Sequence, residues 1–245
     1  MEGEFQNFFR RILRPGGFAV LALCLAAASL PAAESVSPDT LPMFGQPQIA
    51  RTDEQKKSDE AFVLDTTLRY GNRQAASNTI ATQGWAAVRS KQLDLAMQRF
   101  NQAWLLNPKN YSVFWGFGAV LSNRGKLNAA LDQLEKAREL VEDPTQRVAL
   151  LCDLGAVHSA YAASLPKEKE LERAQHFVLA NSRFTESLEN DPKFAPSWRE
   201  WAISLFDQER YSEAWIRVKR ARELKAEPFP QDFLKKLAAK MPEPK

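Results

Sequence analysis

Four pairs of residues of matched character stand 34 positions apart in this chain: Gly84 and Gly118, Ala96 and Ala130, Phe100 and Leu134, Ala103 and Ala137. That period far exceeds the turn of a single helix or the alternation of a strand, and it fits a unit of two helices laid against each other. Two helix backbones approach closely only where small residues let them in, and a bulky residue then fills the groove beside the crossing. Such a unit cannot bury its own apolar face, so copies must stack. The register continues downstream. Leu151, Leu154 and Gly155 open a third unit that closes with Ala180, Phe184 and Ser187; Trp198 opens a fourth that closes with Ala214, Val218 and Ala221. Ala180 and Ala214 are again 34 apart. With only 10 Gly, abundant helix formers and no β-branched runs, the composition agrees with an all-α fold.

This pattern of a small residue, a bulky one four positions on and Ala three later resembles the tetratricopeptide repeat (TPR). Pro108 and Pro192 stand at the family's end-of-repeat proline, and Pro144 and Pro228 come two residues later. The run RFNQAWLLNP followed by WGFGAVL is also similar to a block found among exported bacterial TPR proteins. The resemblance implies a right-handed helical solenoid of about four helix pairs, with repeats at 77–110, 111–147, 148–194 and 195–228, and with N- and C-terminal flanking helices. Gly155 and Ala180 are 25 residues apart where the other repeats have 12, so the third repeat carries a 13-residue insertion. Pro166 suits a helix start, predicting a helix over 167–190 and a long pair extended by about 10 Å into an arm.

The flanks are of a different kind. Residues 1–33 place Arg10, Arg11 and Arg14 before an apolar run from Phe18 to Leu30 and then small residues, the layout of a secretory signal peptide. Cys24 matches a lipobox only in part, so a lipid anchor is the minority reading. Residues 34–51, proline-rich and without helical period, read as an extended or disordered tether. Thr52 and Gln55 have capping-box spacing, which starts an N-terminal flanking helix within 52–76 at Asp53 and carries it to about Leu68, burying Ala61, Leu64 and Leu68. Residues 229–245 form a C-terminal capping helix and tail, with Phe233, Leu234, Leu237 and Ala238 opposite Lys235, Lys236 and Lys240.

Catalytic chemistry finds no footing. The chain has two histidines, His158 and His176, and Cys152 is the one cysteine left after signal removal; no cluster has ligand or nucleophile spacing. No enzyme activity, cofactor or metal is expected. His158 falls at a core aromatic position and His176 reads as surface. Glu168, Glu170 and Glu172 alternate with Lys167, Lys169 and Arg173, as on a solvated helix face. The formal charge of +3, about +2 without the signal region's three arginines and two glutamates, does not suggest nucleic acid.

Binding residues follow from the family resemblance. It makes Phe100, Phe114 and Phe117 core and implies a concave groove lined by Trp85, Arg89, Trp115, Asn123, Arg199, Ile203 and Phe206. The competing reading puts Trp85 or Trp115 beneath the N-terminal helix or the tether. The family's clamp for acidic chaperone tails is missing, since Ala81 and Trp85 stand at its first-repeat positions. The chain is therefore expected to be a non-catalytic scaffold for a protein or peptide, exported to the bacterial envelope as a periplasmic or secreted protein. The alternative is an envelope-anchored assembly factor that touches an anionic membrane or cell-wall surface through Arg217, Lys219, Arg220 and Arg222. Mass spectrometry of the protein recovered from its source cell should find the N-terminus near residue 34. An intact Met1 would overturn the signal-peptide reading, and a lipidated Cys24 would select the anchored form.

Overall fold

A local hydrogen-bond exchange sets the first helix. Thr52 Oγ1 accepts from the Gln55 N–H at 3.2 Å while Gln55 Oε1 accepts from the Thr52 N–H at 2.9 Å, and α1 (Asp53–Tyr70) begins at the next residue, as the capping box predicts. Gly71, at φ 88°, ends it. The computed structural model describes residues 37–244, and the expected signal peptide lies outside them. The described chain is all-α, with no strand among the described residues.

Four helix pairs follow α1. They are α2 (Arg73–Arg89) with α3 (Leu93–Leu106), α4 (Tyr111–Asn123) with α5 (Leu127–Leu140), α6 (Pro144–Ser164) with α7 (Glu170–Asn190), and α8 (Ala195–Asp207) with α9 (Tyr211–Glu223). A last helix, α10 (Gln231–Lys240), comes after them. Each helix of a pair packs along its mate, and each pair packs on the next through α3 on α4, α5 on α6 and α7 on α8.

The turns inside three of the pairs share one backbone design. Lys91, Gly125 and Glu209 adopt left-handed φ values of 58°, 71° and 60°. The following N–H reaches back across the end of the helix at 2.9 Å in each case: Gln92 to Ala87 O, Lys126 to Leu121 O, Arg210 to Leu205 O. This is the Schellman closure, which satisfies carbonyls that the helix end would leave bare. Only the middle turn has glycine; Lys91 and Glu209 hold a conformation that costs an L-residue about 1–2 kcal/mol.

The 34-residue period has a direct physical basis in the crossings. A Cβ added to Gly84 would stand 2.7 Å from Phe100, one on Gly118 2.6 Å from Leu134, and one on Gly155 2.8 Å from Phe184. In the fourth pair Ala202 and Val218 take these places, both fully buried. Phe100 is held on two sides, because a Cβ on Gly116 of α4 would come within 2.2 Å of its ring.

Several expectations about the flanks need correction. On α1, Ala61 is exposed, and Leu64 and Leu68 are 64% and 75% exposed. Phe62, Val63 and Tyr70 pack against the core instead, with Thr66 buried beside them. The helix carries two apolar stripes, and the one with the larger aromatic surface is turned inward. Residues 37–51 are also not a loose tether. Two short 3-10 turns, Pro38–Thr40 and Pro42–Gly45, dock on α3 and bury Phe44. Asn101, itself buried, holds their backbone: its Oδ1 accepts from Phe44 N at 3.3 Å and its Nδ2 donates to Leu41 O at 2.9 Å. Arg124 adds a bond to Thr40 O at 2.7 Å.

Pro144 comes late for an end-of-repeat proline because it opens α6 at the first turn, capped by Asp143 Oδ1 on Thr145 N and Gln146 N. Pro166 precedes a single 3-10 turn, Lys167–Lys169, and α7 starts only at Glu170. Each helix of this pair has 21 residues against 13 in α4 and α8, a difference of about 12 Å in length at 1.5 Å per residue. In α10 Phe233 and Leu237 are buried while Ala238 is exposed.

Ala130 is fully buried, and its carbonyl lies close to the Gly118 crossing. Ala130→Trp should therefore destabilise the protein by about 1–3 kcal/mol or more, whereas Glu170→Lys on the exposed tip should stay within about 0.5 kcal/mol. Chemical denaturation of the two variants separates them, and equal midpoints would contradict the packing.

Candidate functional site

The tryptophans expected in a groove are inside the protein. Trp85 and Trp115 are 1% and 2% exposed and lie edge to face, ring centres 5.8 Å apart. Trp85 Nε1 donates to Ser112 Oγ at 2.9 Å, joining α2 to α4, and Trp115 Nε1 donates to Asp153 Oδ2 at 2.8 Å, joining α4 to α6. Trp85 also meets Phe100 edge-on at 5.6 Å. Their surroundings explain the correction: a buried indole needs an acceptor for its N–H, and each finds one on the first helix of the next pair.

The other expected groove residues do not converge either. Arg199 is 4% exposed, paired with Glu200, and its guanidinium faces the Phe229 ring at 5.7 Å and Pro228 O at 3.4 Å. It ties down the segment after α9. Phe206 is half-buried against Tyr211 and Phe233, under α10. Ile203 is half-buried in the same cluster. Asn123 bonds its own helix at Ala119 O, and Arg89 is exposed.

At the basic end, charge is largely spoken for. Arg220 pairs with Glu223 at 3.0 Å and Arg222 with Glu243 at 2.5 Å. Arg217 lies over the Trp201 ring at 4.1 Å, where burial lowers its pKa. Lys219 remains exposed.

A different place gathers titratable groups. An open cleft of about 470 Å³ lies between α5 and the long α6/α7 pair, with Leu131, Asp132 and Glu139 of α5 on one wall and Leu179 of α7 on the other. His158 of α6 and His176 of α7 line it as well, their Nδ1 atoms 3.0 Å apart. His158 is buried, as a core position requires, but His176 is half-buried against it rather than a bare surface residue. The insertion's longer helices bring the pair together, and this is the side-chain cluster that reading the residues singly missed.

Electrostatics around the cleft are ordered. Glu135 accepts from Arg138 Nε at 2.5 Å and Arg183 at 2.9 Å. Burial pushes its carboxyl up, but the two guanidinium partners outweigh that and leave its pKa lowered. His158 is pushed down to about 4, first by burial and then by His176, with Arg183 adding to it and Glu135 opposing. Burial also lowers His176, which Glu172 partly offsets. The Tyr161 hydroxyl donates to Glu172 Oε1 at 2.9 Å and its ring meets His176 edge-on at 4.5 Å. Lys169 closes the set with Glu172 at 3.0 Å.

Of its apolar lining Leu179 of α7 is 38% exposed while Leu131 is buried, and its carboxylates, Asp132, Glu135 and Glu139, all stand on α5 beside Lys136. Among the described residues no group of three or more His, Cys, Asp or Glu could hold a metal ion, and no helix is long and apolar enough to cross a membrane. No family model matches the chain, and no curated protein matches it in sequence.

Because Trp85 and Trp115 fill the core, Trp85→Ala and Trp115→Ala should each cost about 3–5 kcal/mol of stability, while Arg89→Ala should stay within about 0.5 kcal/mol. Denaturant midpoints read this directly. Tryptophan variants as stable as Arg89→Ala would return both rings to the surface.

Proposed function

We propose that this chain is a TPR-type helical-repeat scaffold that binds a protein or peptide without catalysing a reaction on it, and that it works in the bacterial cell envelope after export. The observation that carries the reading is the repeated crossing of Gly84 with Phe100, Gly118 with Leu134 and Gly155 with Phe184, which is the small-against-bulky packing that stacked helix pairs need. Stacked pairs offer broad surfaces rather than a deep enclosed pocket, and the cleft between α5 and α7 is open in this way. Its part-exposed Leu179 supplies apolar contact, and the exposed Asp132 and Glu139 of α5 supply charge, the division of labour that interfaces favour. Contact of the basic end with an anionic surface is the weaker reading, since Arg220 and Arg222 are already paired with carboxylates.

Affinity capture from envelope extract tests this, using the chain and its Leu179→Glu variant side by side as bait. Leu179 is 38% exposed, so the variant should melt within about 2 °C of the parent while losing about tenfold or more of a captured partner. Capture that the variant leaves untouched would move the binding surface away from the cleft. The absence of any retained protein would count against the scaffold reading itself.

A further inference from the structure

The meeting of His158 and His176 at 3.0 Å between two Nδ1 atoms constrains where protons can sit. One nitrogen must carry the hydrogen and the other must accept it. The pair tolerates one added proton: His176, half-exposed and near Glu172, can take it at Nε2 and still donate from Nδ1 to His158. A second proton has to go onto the accepting Nδ1 of His158. Two N–H groups then face each other and two positive rings stand side by side, so this bond between α6 and α7 is lost and repulsion replaces it.

We propose that His158 and His176 form an acid-operated latch that holds α6 and α7 together at neutral pH and opens the adjoining cleft when both rings become protonated. The surrounding groups do not rescue the doubly charged pair. On α5, Glu135 is the carboxylate that favours a charged His158, but it already serves Arg138 and Arg183, and Arg183 of α7 opposes the charge. The Lys136 ammonium of α5 lies over the Phe114 ring at 5.4 Å, while Asp132 and Glu139 occupy the wall of the cleft. On the side of the tip, Glu172 of α7 is engaged by Tyr161 of α6 and by Lys169. The cleft leaves a path by which solvent protons reach the pair.

The direction of the pH effect follows from proton uptake. His158 titrates near 4 in the folded chain against an ordinary value of 6.5, so the unfolded or opened form binds more protons between these values. The latch is therefore at full strength above pH 6.5 and weakens as the pH falls toward 4. The inference rests on the geometry of the pair and does not depend on what the scaffold binds.

Two measurements on the full chain decide it. In a nitrogen-15 NMR titration His158 should show a midpoint below about pH 5, and a midpoint near the unperturbed histidine value of about 6.5 overturns the proposal. In hydrogen exchange corrected for intrinsic rates, protection across residues 155–180 should drop about tenfold or more from pH 7 to pH 4. His158→Gln keeps an acceptor for the His176 Nδ1–H but cannot titrate, and its drop should be under about threefold. Equal losses in the two proteins would assign the acid effect to the carboxylates and overturn the latch, as would unchanged protection in the parent. Should His158→Gln fail to fold, the NMR midpoint of the parent still decides.

Discussion

Phe100 sits where three helices would otherwise collide. Its ring is pressed between Gly84 of α2 and Gly116 of α4, at positions where any side chain would overlap it, and it meets Trp85 and Phe117 edge-on at 5.6 and 6.1 Å. A ring on α3 thereby fixes how close α2 and α4 come, which sets the spacing between the first two helix pairs. Dense packing of this kind resists even a single added methylene. Leu134 and Phe184 fill the matching crossing inside their own pairs, against Gly118 and Gly155, so that one contact is made repeatedly.

Around that contact the polar groups behave as fasteners. The indole N–H groups of Trp85 and Trp115 reach Ser112 and Asp153, each one pair further along, and Trp201 reaches Asn181 of α7 at 2.8 Å. At the end of the chain Trp215 donates to Met241 O, pinning α10 over the last pair. The start is closed by Asn101 and Arg124, which grip the backbone of residues 40–44. Fastening by side chain to backbone needs no particular sequence in the segment held, which is why a proline-rich run without helical period can still dock.

The third pair departs from the others and collects the titratable chemistry. Lengthened helices carry His176 alongside His158 in the cleft that α5, α6 and α7 line, and Arg183, next to the crossing ring Phe184, reaches Glu135 there. The insertion adds more than length: it brings together groups from three helices whose charges depend on one another. In the scaffold and latch proposed above, this site would couple the shape of the surface to the acidity around it.

What the sequence determined by itself was whatever rests on local or periodic information. Thr52 and Gln55 lie within one turn, so their capping box and the start of α1 were legible; the 34-residue period was legible because each pair repeats the same crossing, and the extra 13 residues stood out against it. The family resemblance went further than the residues could carry when it turned Trp85 and Trp115 toward a groove. Which side of α1 turns inward, whether residues 37–51 dock, and whether those tryptophans face solvent were decided by tertiary structure. In each case the outcome fell to partners far away in the chain: the core beneath Phe62, the amide of Asn101, the acceptors Ser112 and Asp153. The histidine pair belongs with these, because two rings 18 residues apart become one proton-sharing unit only when two long helices are packed side by side.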